Sequence, residues 1–440
     1  MVTMRSLLLV FCLGLAPLAH ATWTPFFTKD RVIDDIDGMC LSRYTNRVVY
    51  CQGRLIEAVN YHRLYNDSKD FVDSPLKDDP DTIVQAFEQT FPAVDITQID
   101  PKLLRKFVDQ YFDPPTSELI PCTPTDWSEQ PDKIMQIQDQ ALREWALSLN
   151  GLWKDLCRQV DPALLQKRDR HSILYTPHPF IAPGGRFREA YYWDSYWIIR
   201  GLLISGMTDT AKQMVFNFVY IIKDIGFIPN GLRIYYTNRS HPPLFAAMVY
   251  AIYEEIEDIE FVKKVLPYME MEFDFWENNR KFDVTLASGD SEEVFYYKTG
   301  TKMPRPESMW ADLHASDQLD GEDREFFFEN KHANFIWTID RVFYSHDAGG
   351  WFDFNNRTKE HLIHIYGSVA APLFTNSYAV SDKNKPRRLF ETLENTGFFS
   401  YAGGVPVSVV PDTKQQWDFP NGWAPLNHMI IEGEHTLIHN

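Results

Sequence analysis

Apolar residues recur at three- and four-residue steps along much of the chain, which is the spacing of one face of an α-helix. The clearest stretch predicts a helix that starts near Asp209, which can cap it, and ends at Gly226. The same spacing predicts a helix that begins near Pro101 and another helix whose face includes Trp145 and Leu156. The apolar positions of the three helices are Ala211, Met214, Val215, Phe218, Val219, Ile222 and Ile225; Leu103, Leu104, Phe107, Val108 and Tyr111; and Trp145, Leu149, Leu152 and Leu156.

Two further segments extend the helical pattern. Residues 244–256 are almost continuously apolar, and another helix is expected after Asp258, where Pro267 could disturb it. Alternating patterns typical of strands are few and short, and there is no Gly/Ser linker, charge block or short repeat. A chain of 440 residues could form two or three domains, but many helices without a linker predict one large all-α domain.

The first residues are typical of an export signal. A weakly positive start is followed by an apolar run from Leu7 to Leu18 and by the small-x-small triplet that ends at Ala21. The run is too short to span a bilayer comfortably, and no later segment is apolar enough to do so. We therefore predict a signal peptide over 1–21, a secreted protein, and one domain over 22–440.

The charge balance excludes two classes of partner. The chain carries 43 Lys and Arg against 61 Asp and Glu, for a net charge of -18. Nucleic-acid binding and docking on an anionic membrane both need a basic face, so neither is expected. The 31 Phe, 21 Tyr and 12 Trp have two interpretations, a large aromatic core or a pocket lined for sugars and other flat ligands.

Signal removal would leave four cysteines, and an exported chain is expected to pair them. Two disulfides are predicted, with three connectivities open. None of the cysteines shows the paired short spacing of a zinc site, and we predict no metal and no cofactor. Glycosylation sequons stand at Asn66, Asn238 and Asn356. The four cysteines are Cys40, Cys51, Cys122 and Cys157.

Three segments are unusually polar for their aromatic surroundings. The first, 183–197, interleaves four charged residues with aromatic rings after a Gly-Gly turn. The others are 228–241 and 303–308, the latter with the triplet Arg-Pro-Glu. Charges among rings must be paired or bound to a polar ligand, so one interpretation is a structural ion-pair network and the other is a sugar site. The four charged residues of the first segment are Arg186, Arg188, Glu189 and Asp194.

These segments resemble the trehalases, glycoside hydrolases that split α,α-trehalose into two glucoses. Residues 183–197 and 416–425 (Gln-Trp-Asp-Phe-Pro-Asn-Gly-Trp-Ala-Pro) are similar to the two family signatures, and 67–77 resembles a further family block. The resemblance runs in order from about Cys51 to Gly433. It implies an (α/α)6 toroid, a ring of inner helices within a ring of outer ones, and trehalose as the small-molecule substrate.

The resemblance also assigns substrate contacts. His241 stands where the family usually has Gln, so protonation of its ring could make its contact sensitive to pH. A glycan on Asn238 would lie beside these contacts, and we expect that sequon to be unused. The assigned residues are Arg186, Trp193, Asp194, Asn230, Arg239, Ser240, His241, Arg305, Pro306 and Glu307.

The catalytic pair of the family has no counterpart here. Trehalases resemble inverting glycosidases, which need one carboxylic acid and one carboxylate base on opposite sides of the sugar. The family acid lies in a Gly-Trp-Asp segment downstream of Arg-Pro-Glu, and a long block that would contain it is missing between Glu307 and Phe335. Asp353 is a superficial substitute, one residue out of step and set in a stretch that resembles an aspartate-bearing hairpin of the family.

The family base lies in a Gly-rich Glu-Tyr segment downstream of the second signature, and it is missing too. Glu434 belongs to a short tail that matches nothing in the family, and the toroid is expected to be incomplete. Three hypotheses follow. The chain is an incomplete version of a secreted trehalase, a non-catalytic sugar-binding relative, or another α-toroid glycosidase with a different disaccharide.

Overall fold

The computed structural model describes residues 39–286, 288–295, 301–317, 340–355, 358–375, 384–409 and 418–439, together with 319, 321 and 324. These residues fall into two compact units, which are described separately. The larger unit contains the described residues between 39 and 275 and between 301 and 324. The smaller one contains those between 276 and 295 and between 340 and 439. The predicted signal peptide and Asn356 lie outside the described residues.

The larger unit is built from helices, and its only sheet within the described residues has three short strands. Helix α11 continues into the smaller unit from Trp276 onward. The helices are α1 Arg47–Tyr50, α2 Arg54–Tyr61, α3 Ser68–Val72, α4 Pro80–Thr90, α5 Pro101–Tyr111, α6 Asp132–Met135, α7 Gln140–Leu156, α8 Asp194–Ile204, α9 Thr208–Ile225, α10 Phe245–Ile256, α11 Ile259–Asn279 and α12 Met309–Ala315.

Helix α9 confirms the strongest sequence prediction. Its apolar face is buried, and Gly226 ends it in the left-handed conformation with φ of 92°. The start differs in detail, because Met207 occupies the capping position and Asp209 lies in the first turn. There its charge still favours the positive end of the helix.

The prolines act as their positions require. Pro101 is the first residue of α5, where a missing backbone N–H costs nothing. Pro267 lies inside α11, but the helix continues unbroken through it over its full length of 21 residues. Tertiary packing therefore outweighs the lost hydrogen bond at this position.

Helix α7 forms where the periodicity predicts it, but its apolar stripe faces outward. Trp145 is 62% exposed and Leu149 is 42% exposed. The helix contacts the rest of the unit through Trp153, whose indole N–H donates to Ser205 Oγ at 2.9 Å. Periodicity identifies the helix correctly. It does not identify the buried face, because both faces of α7 carry apolar residues.

Two disulfides confirm the pairing of the four cysteines and settle its connectivity. Cys40 pairs with Cys51, and Cys122 pairs with Cys157. The second bridge joins the end of strand β1 to the start of β2 in the antiparallel sheet. The strands of this sheet, in order, are β1 Leu119–Pro121, β2 Cys157–Val160 and β3 Phe180–Ile181.

The smaller unit combines short helices with three hairpins around its own core. Trp351 and Phe352 are buried there with Leu389 and Leu393 from α15. Its helices are α13 Asp340–Phe343, α14 Ala371–Phe374, α15 Asn384–Asn395 and α16 Ala424–His439. The hairpins pair β4 Lys281–Thr285 with β5 Ser291–Phe295, β6 Tyr344–Ser345 with β7 Gly350–Trp351, and β8 Asp353–Asn355 with β9 Glu360–Leu362.

The predicted all-α class is confirmed by this inventory of long helices and short strands. In the described part of the chain, no helix is both long and apolar enough to cross a membrane. The prediction that 22–440 forms one domain stays a prediction.

Candidate active site

All ten residues that the sequence assigned to substrate contacts lie in the larger unit. They come from four places: the segment that enters α8, the turn at Asn230, the segment after the 3₁₀ turn Ile234–Tyr236, and the 3₁₀ turn Pro306–Ser308. Pro306 is the first residue of this last turn, where its fixed φ suits the geometry, and it is buried.

Main-chain hydrogen bonds join three of these four places directly. Tyr192 N donates to Asn230 O at 3.0 Å, and Asn230 N donates to Arg239 O at 2.8 Å. Gly231 allows the close approach, since a Cβ there would lie 2.9 Å from the ring of Tyr236 and 3.0 Å from that of Tyr191. The geometry therefore requires glycine at this position.

Arg239 and Glu307 form a buried bidentate pair. The two guanidinium nitrogens Nη1 and Nη2 donate to Oε1 and Oε2 of Glu307, both at 2.9 Å. Burial alone would raise the pKa of Glu307, but the charge and hydrogen bonds of Arg239 outweigh it and lower the pKa to about 2. Glu307 is therefore a carboxylate whose two oxygens are both occupied.

The other two arginines are also each held by one carboxylate. Arg305 donates through Nε and Nη2 to Asp312, at 2.8 and 2.6 Å. Arg186 donates in the same way to Asp67, at 2.6 and 2.7 Å, and also to the main-chain oxygen of Glu307 at 2.9 Å. Among the described residues, Nη1 of Arg186 and of Arg305 has no hydrogen-bond acceptor. Each arginine is thus fixed in place with a donor left over for a ligand.

Asp194 differs from these paired carboxylates. It begins α8, and the closest charged or ionisable partner within the described residues is Nδ1 of His241, 3.9 Å from its Oδ2. The side chain is 26% accessible, so the carboxyl is mostly but not fully buried. This burial raises the pKa of Asp194 to about 7, so the group is only partly ionised near neutral pH.

His241 is neutral in this environment. Burial, followed by the positive charge of Arg239, lowers the pKa of its ring to about 3. Its Nδ1 accepts a long hydrogen bond from Trp193 N, at 3.4 Å, which leaves the proton on Nε2. The ring therefore offers a fixed N–H donor, and the pH sensitivity expected from the sequence does not apply at neutral or mildly acidic pH.

Three further groups complete the site. Trp193 is 5% exposed and packs edge-on against Trp197, with ring centroids 5.3 Å apart. Ser240 Oγ is buried without a hydrogen-bond partner in the described part of the chain. The side-chain amide of Asn230, also buried, makes no hydrogen bond to another described residue. Polar atoms of this kind are costly unless a ligand or water satisfies them.

A buried ion-pair network includes Glu189, so the structural interpretation of 183–197 is correct for part of this segment. Lys69 Nζ contacts Asp73 at 2.6 Å and Glu189 at 2.8 Å. Arg233 contacts the same two carboxylates at 3.1 and 3.0 Å. All four side chains are fully buried, so this network supports the segment and is closed to a ligand.

Five carboxyl groups are candidates to replace the missing catalytic pair. Glu189 and Glu307 are both neutralised by buried cations. Asp353 lies on strand β8 of a hairpin in the smaller unit, where the resemblance expected one. Asp418, in the same unit, accepts from Ser408 Oγ at 3.0 Å. The side chain of Glu434 lies outside the described residues.

Sequence reasoning missed the residues that hold the arginines. Asp67 lies in the quoted family block, but nothing in the sequence pairs it with Arg186 across 119 positions. Asp312 follows Arg305 by seven residues, a separation that brings the two together only because the 3₁₀ turn leads into α12. No group of three or more His, Cys, Asp and Glu within the described residues could hold a metal ion.

Comparison with known proteins places these features in a family. The trehalase family model matches residues 63–334 and, as a second segment, 319–437. The trehalase of Oryctolagus cuniculus is 33% identical, over 88% of this chain and 77% of that protein. The trehalase of Bombyx mori is 34% identical, over 91% of this chain and 80% of that protein. Among solved structures, neutral trehalase from Saccharomyces cerevisiae has a TM-score of 0.45 and 19% identity, over 59% of this chain and 63% of that one.

The alignments also contain positions that this chain lacks. The alignment with the rabbit protein is 454 positions long, although only 88% of the 440 residues of this chain take part in it. The remaining positions are residues of the rabbit protein that have no counterpart in this chain. The two matched segments of the family model meet at 319–334, inside the interval where the sequence indicated a missing block. The chain belongs to the trehalase family of glycoside hydrolases, whose fold is the (α/α)6 toroid.

Proposed function

We propose that this chain binds one glucose unit of α,α-trehalose in the recess formed by Trp193, Asp194, Asn230, Ser240 and His241. The observation that carries the proposal is the set of polar groups left without a protein partner beside a buried indole. Sugars present apolar C–H faces and many hydroxyls, and such a recess offers one ring face with several hydrogen-bonding groups.

The charges of the recess favour an uncharged ligand. Each of the three arginines is balanced by its own carboxylate, and His241 is neutral. Asp194 is half-protonated near pH 7, so it can donate to or accept from a hydroxyl. A phosphorylated sugar would need an unbalanced cation, whereas a neutral disaccharide would not.

Hydrolysis needs more than this recess supplies. Inversion uses two carboxyl groups separated by about 6.5–9.5 Å, one protonated and one ionised. Asp194 is the one carboxyl of the described recess that is free of a cation, and a single group cannot act on both sides of the sugar. We therefore propose that the 440-residue chain binds trehalose but does not turn it over detectably.

The complete form of this protein is proposed to be an inverting trehalase, of which this chain is an incomplete version. The additional positions in the alignments are expected both of an incomplete form and of a relative that lost these segments. Sequencing the transcript across Glu307–Phe335 and beyond Gly433 separates the two. Intervening Gly-Trp-Asp and Gly-rich Glu-Tyr blocks support an incomplete form, and a continuous transcript supports a non-catalytic relative.

Purified protein of both lengths tests the activity directly. With trehalose, the chain as given should bind without releasing glucose. The restored form should release one glucose as the β-anomer, since inversion changes the configuration at one anomeric carbon. Anomer-resolved NMR of the first product is the measurement. Robust turnover by the short chain would refute the proposal and direct attention to Asp353.

Export is proposed on the signal-like segment 1–21 and is supported by the two disulfides. Asn66 is exposed and is the proposed glycan acceptor, whereas Asn238 is only 1% exposed and cannot be reached in the folded chain. Secreted protein should begin after Ala21 and lose mass on deglycosylation. An N-terminus that retains residues 1–21 in secreted protein would contradict the cleavage site.

A further inference from the structure

Glu272 is a buried acid that is not among the residues assigned to sugar binding. It lies on α11 with 3% of its surface exposed, and its carboxyl is hydrogen-bonded to the hydroxyl of Tyr192. Among the described residues it has no cationic partner, unlike Glu189 and Glu307. A carboxyl in such a place is costly to ionise, and it is retained more readily if it performs a task.

Tyr192 connects this acid to the recess. Its ring is fully buried, and its hydroxyl accepts from the main-chain N–H of Phe245, the first residue of α10, at 3.1 Å. Its main-chain N donates to Asn230 O at 3.0 Å. The next two residues are Trp193 and Asp194. Tyr192 therefore joins α10 and α11, through its side chain, to the segments that carry Asp194 and Asn230, through its main chain.

Glu272 and Phe245 fill different roles at this hydroxyl. The hydroxyl accepts from Phe245 N and donates to Oε1 of Glu272. Removing the carboxyl would take away this acceptor from a ring that is fully buried.

We propose that Glu272 is a positioning residue for the sugar recess, which it orders by holding the Tyr192 hydroxyl and thereby the main chain that carries Trp193 and Asp194. The ligand in this proposal rests on the proposed function, but the ordering of the segment does not.

A pH dependence follows from the same geometry. Burial raises the pKa of Glu272 to about 8, partly offset by the hydrogen bond from Tyr192. Tyr192 is the one ionisable side chain among the described residues that acts on this carboxyl. Below pH 8 the neutral acid sits comfortably in its site. Above pH 8 the ionised carboxyl still accepts from Tyr192, but its unpaired charge draws water into the buried site and disturbs the packing around the ring.

Three variants test the proposal in the full chain. Glu272→Gln keeps an acceptor and cannot ionise, Glu272→Leu removes the acceptor, and Glu260→Gln is the control at an exposed position of the same helix. Calorimetric titration with trehalose is carried out from pH 6 to pH 9, well below the unfolding temperature. Wild-type affinity should fall above pH 8, Glu272→Gln should stay within about twofold of its value at pH 6, and Glu272→Leu should bind about fivefold more weakly throughout, as expected for one neutral hydrogen bond.

Hydrogen exchange without sugar separates this proposal from the proposed function. In Glu272→Leu, amides of 190–194 and 230–232 should exchange faster, while those of α5 and of the β1–β3 sheet should not change. If no form binds trehalose, the proposed function fails and the exchange pattern alone decides the positioning role. Unchanged exchange in 190–194, a uniform increase across the unit, or equal sugar affinity in all forms at all pH values would each overturn it.

Discussion

Replacing Asp194 by Asn should stabilise the protein at neutral pH while weakening its binding of sugar. The pKa of Asp194 is raised from its ordinary value of 3.8 to about 7, because burial penalises the charged form. The folded state therefore holds a proton that the unfolded chain releases, and this linkage costs stability between the two pKa values. Asn has nearly the same shape and no proton to lose.

The sign and size of the effect follow from this difference. Below about pH 4 both states keep the proton, and the variant should equal wild type. As the pH rises from about 4 to about 7 the wild type loses stability relative to the variant, and above 7 the difference is constant. A shift of about three pKa units corresponds to about 4 kcal/mol. Because 26% of the side chain is accessible, this figure is an upper limit.

Urea unfolding at pH 4, 5.5, 7 and 8.5 measures the difference, and titration with trehalose measures the affinity, which should fall about tenfold. Asp209→Asn is the matched control, since Asp209 also lies in the first turn of a helix but is exposed. A stability difference that is the same at pH 4 and pH 8.5 would refute the reasoning about burial. A variant that binds trehalose as tightly as wild type would remove Asp194 from the site.

Three further predictions concern the surroundings of the recess. Glu307→Gln leaves the Arg239 guanidinium buried without its counter-charge, so the free energy of unfolding should fall by about 3–5 kcal/mol in urea titrations, whereas an unchanged midpoint would contradict a buried pair. Gly231→Ala should lower the free energy of unfolding by about 1–3 kcal/mol, because the added methyl group meets two tyrosine rings. An unchanged free energy of unfolding would show that the rings move aside. Non-reducing peptide mapping should link the cysteines as in the structure, and four free thiols would count against both bridges and against export.

The helices could be predicted from the sequence because each is specified locally. In α9 the apolar face, the glycine that ends the helix and the acidic first turn all lie within one short segment. The orientation of α7 could not be predicted in this way. Both faces of the helix are apolar, and the buried one is set by the contact of Trp153 with Gly201 on α8 and with Ser205 just after it. This tertiary contact has no local signal in the sequence.

The identities of the site residues followed from motifs, but their chemical states did not. Glu307 and Asp194 are both carboxyl groups among aromatic rings, and the sequence treated them alike. In the structure Arg239 keeps the first ionised, whereas burial leaves the second partly protonated, since no described cation lies beside it. The difference depends on partners at a distance in sequence, which no motif specifies.

The division of the carboxylates also separates the chemical requirements of binding from those of hydrolysis. Anchoring an arginine requires an ionised carboxylate with both oxygens occupied, as in the pair of Glu307 with Arg239. Proton transfer requires the opposite, a carboxyl with a free oxygen and a pKa near the working pH. A residue that meets the first requirement cannot meet the second, so the anchors of the recess cannot replace a missing acid or base. Removal of the segments that carry the catalytic pair should therefore abolish turnover and leave the sugar recess, whose contacts come from other elements, able to bind.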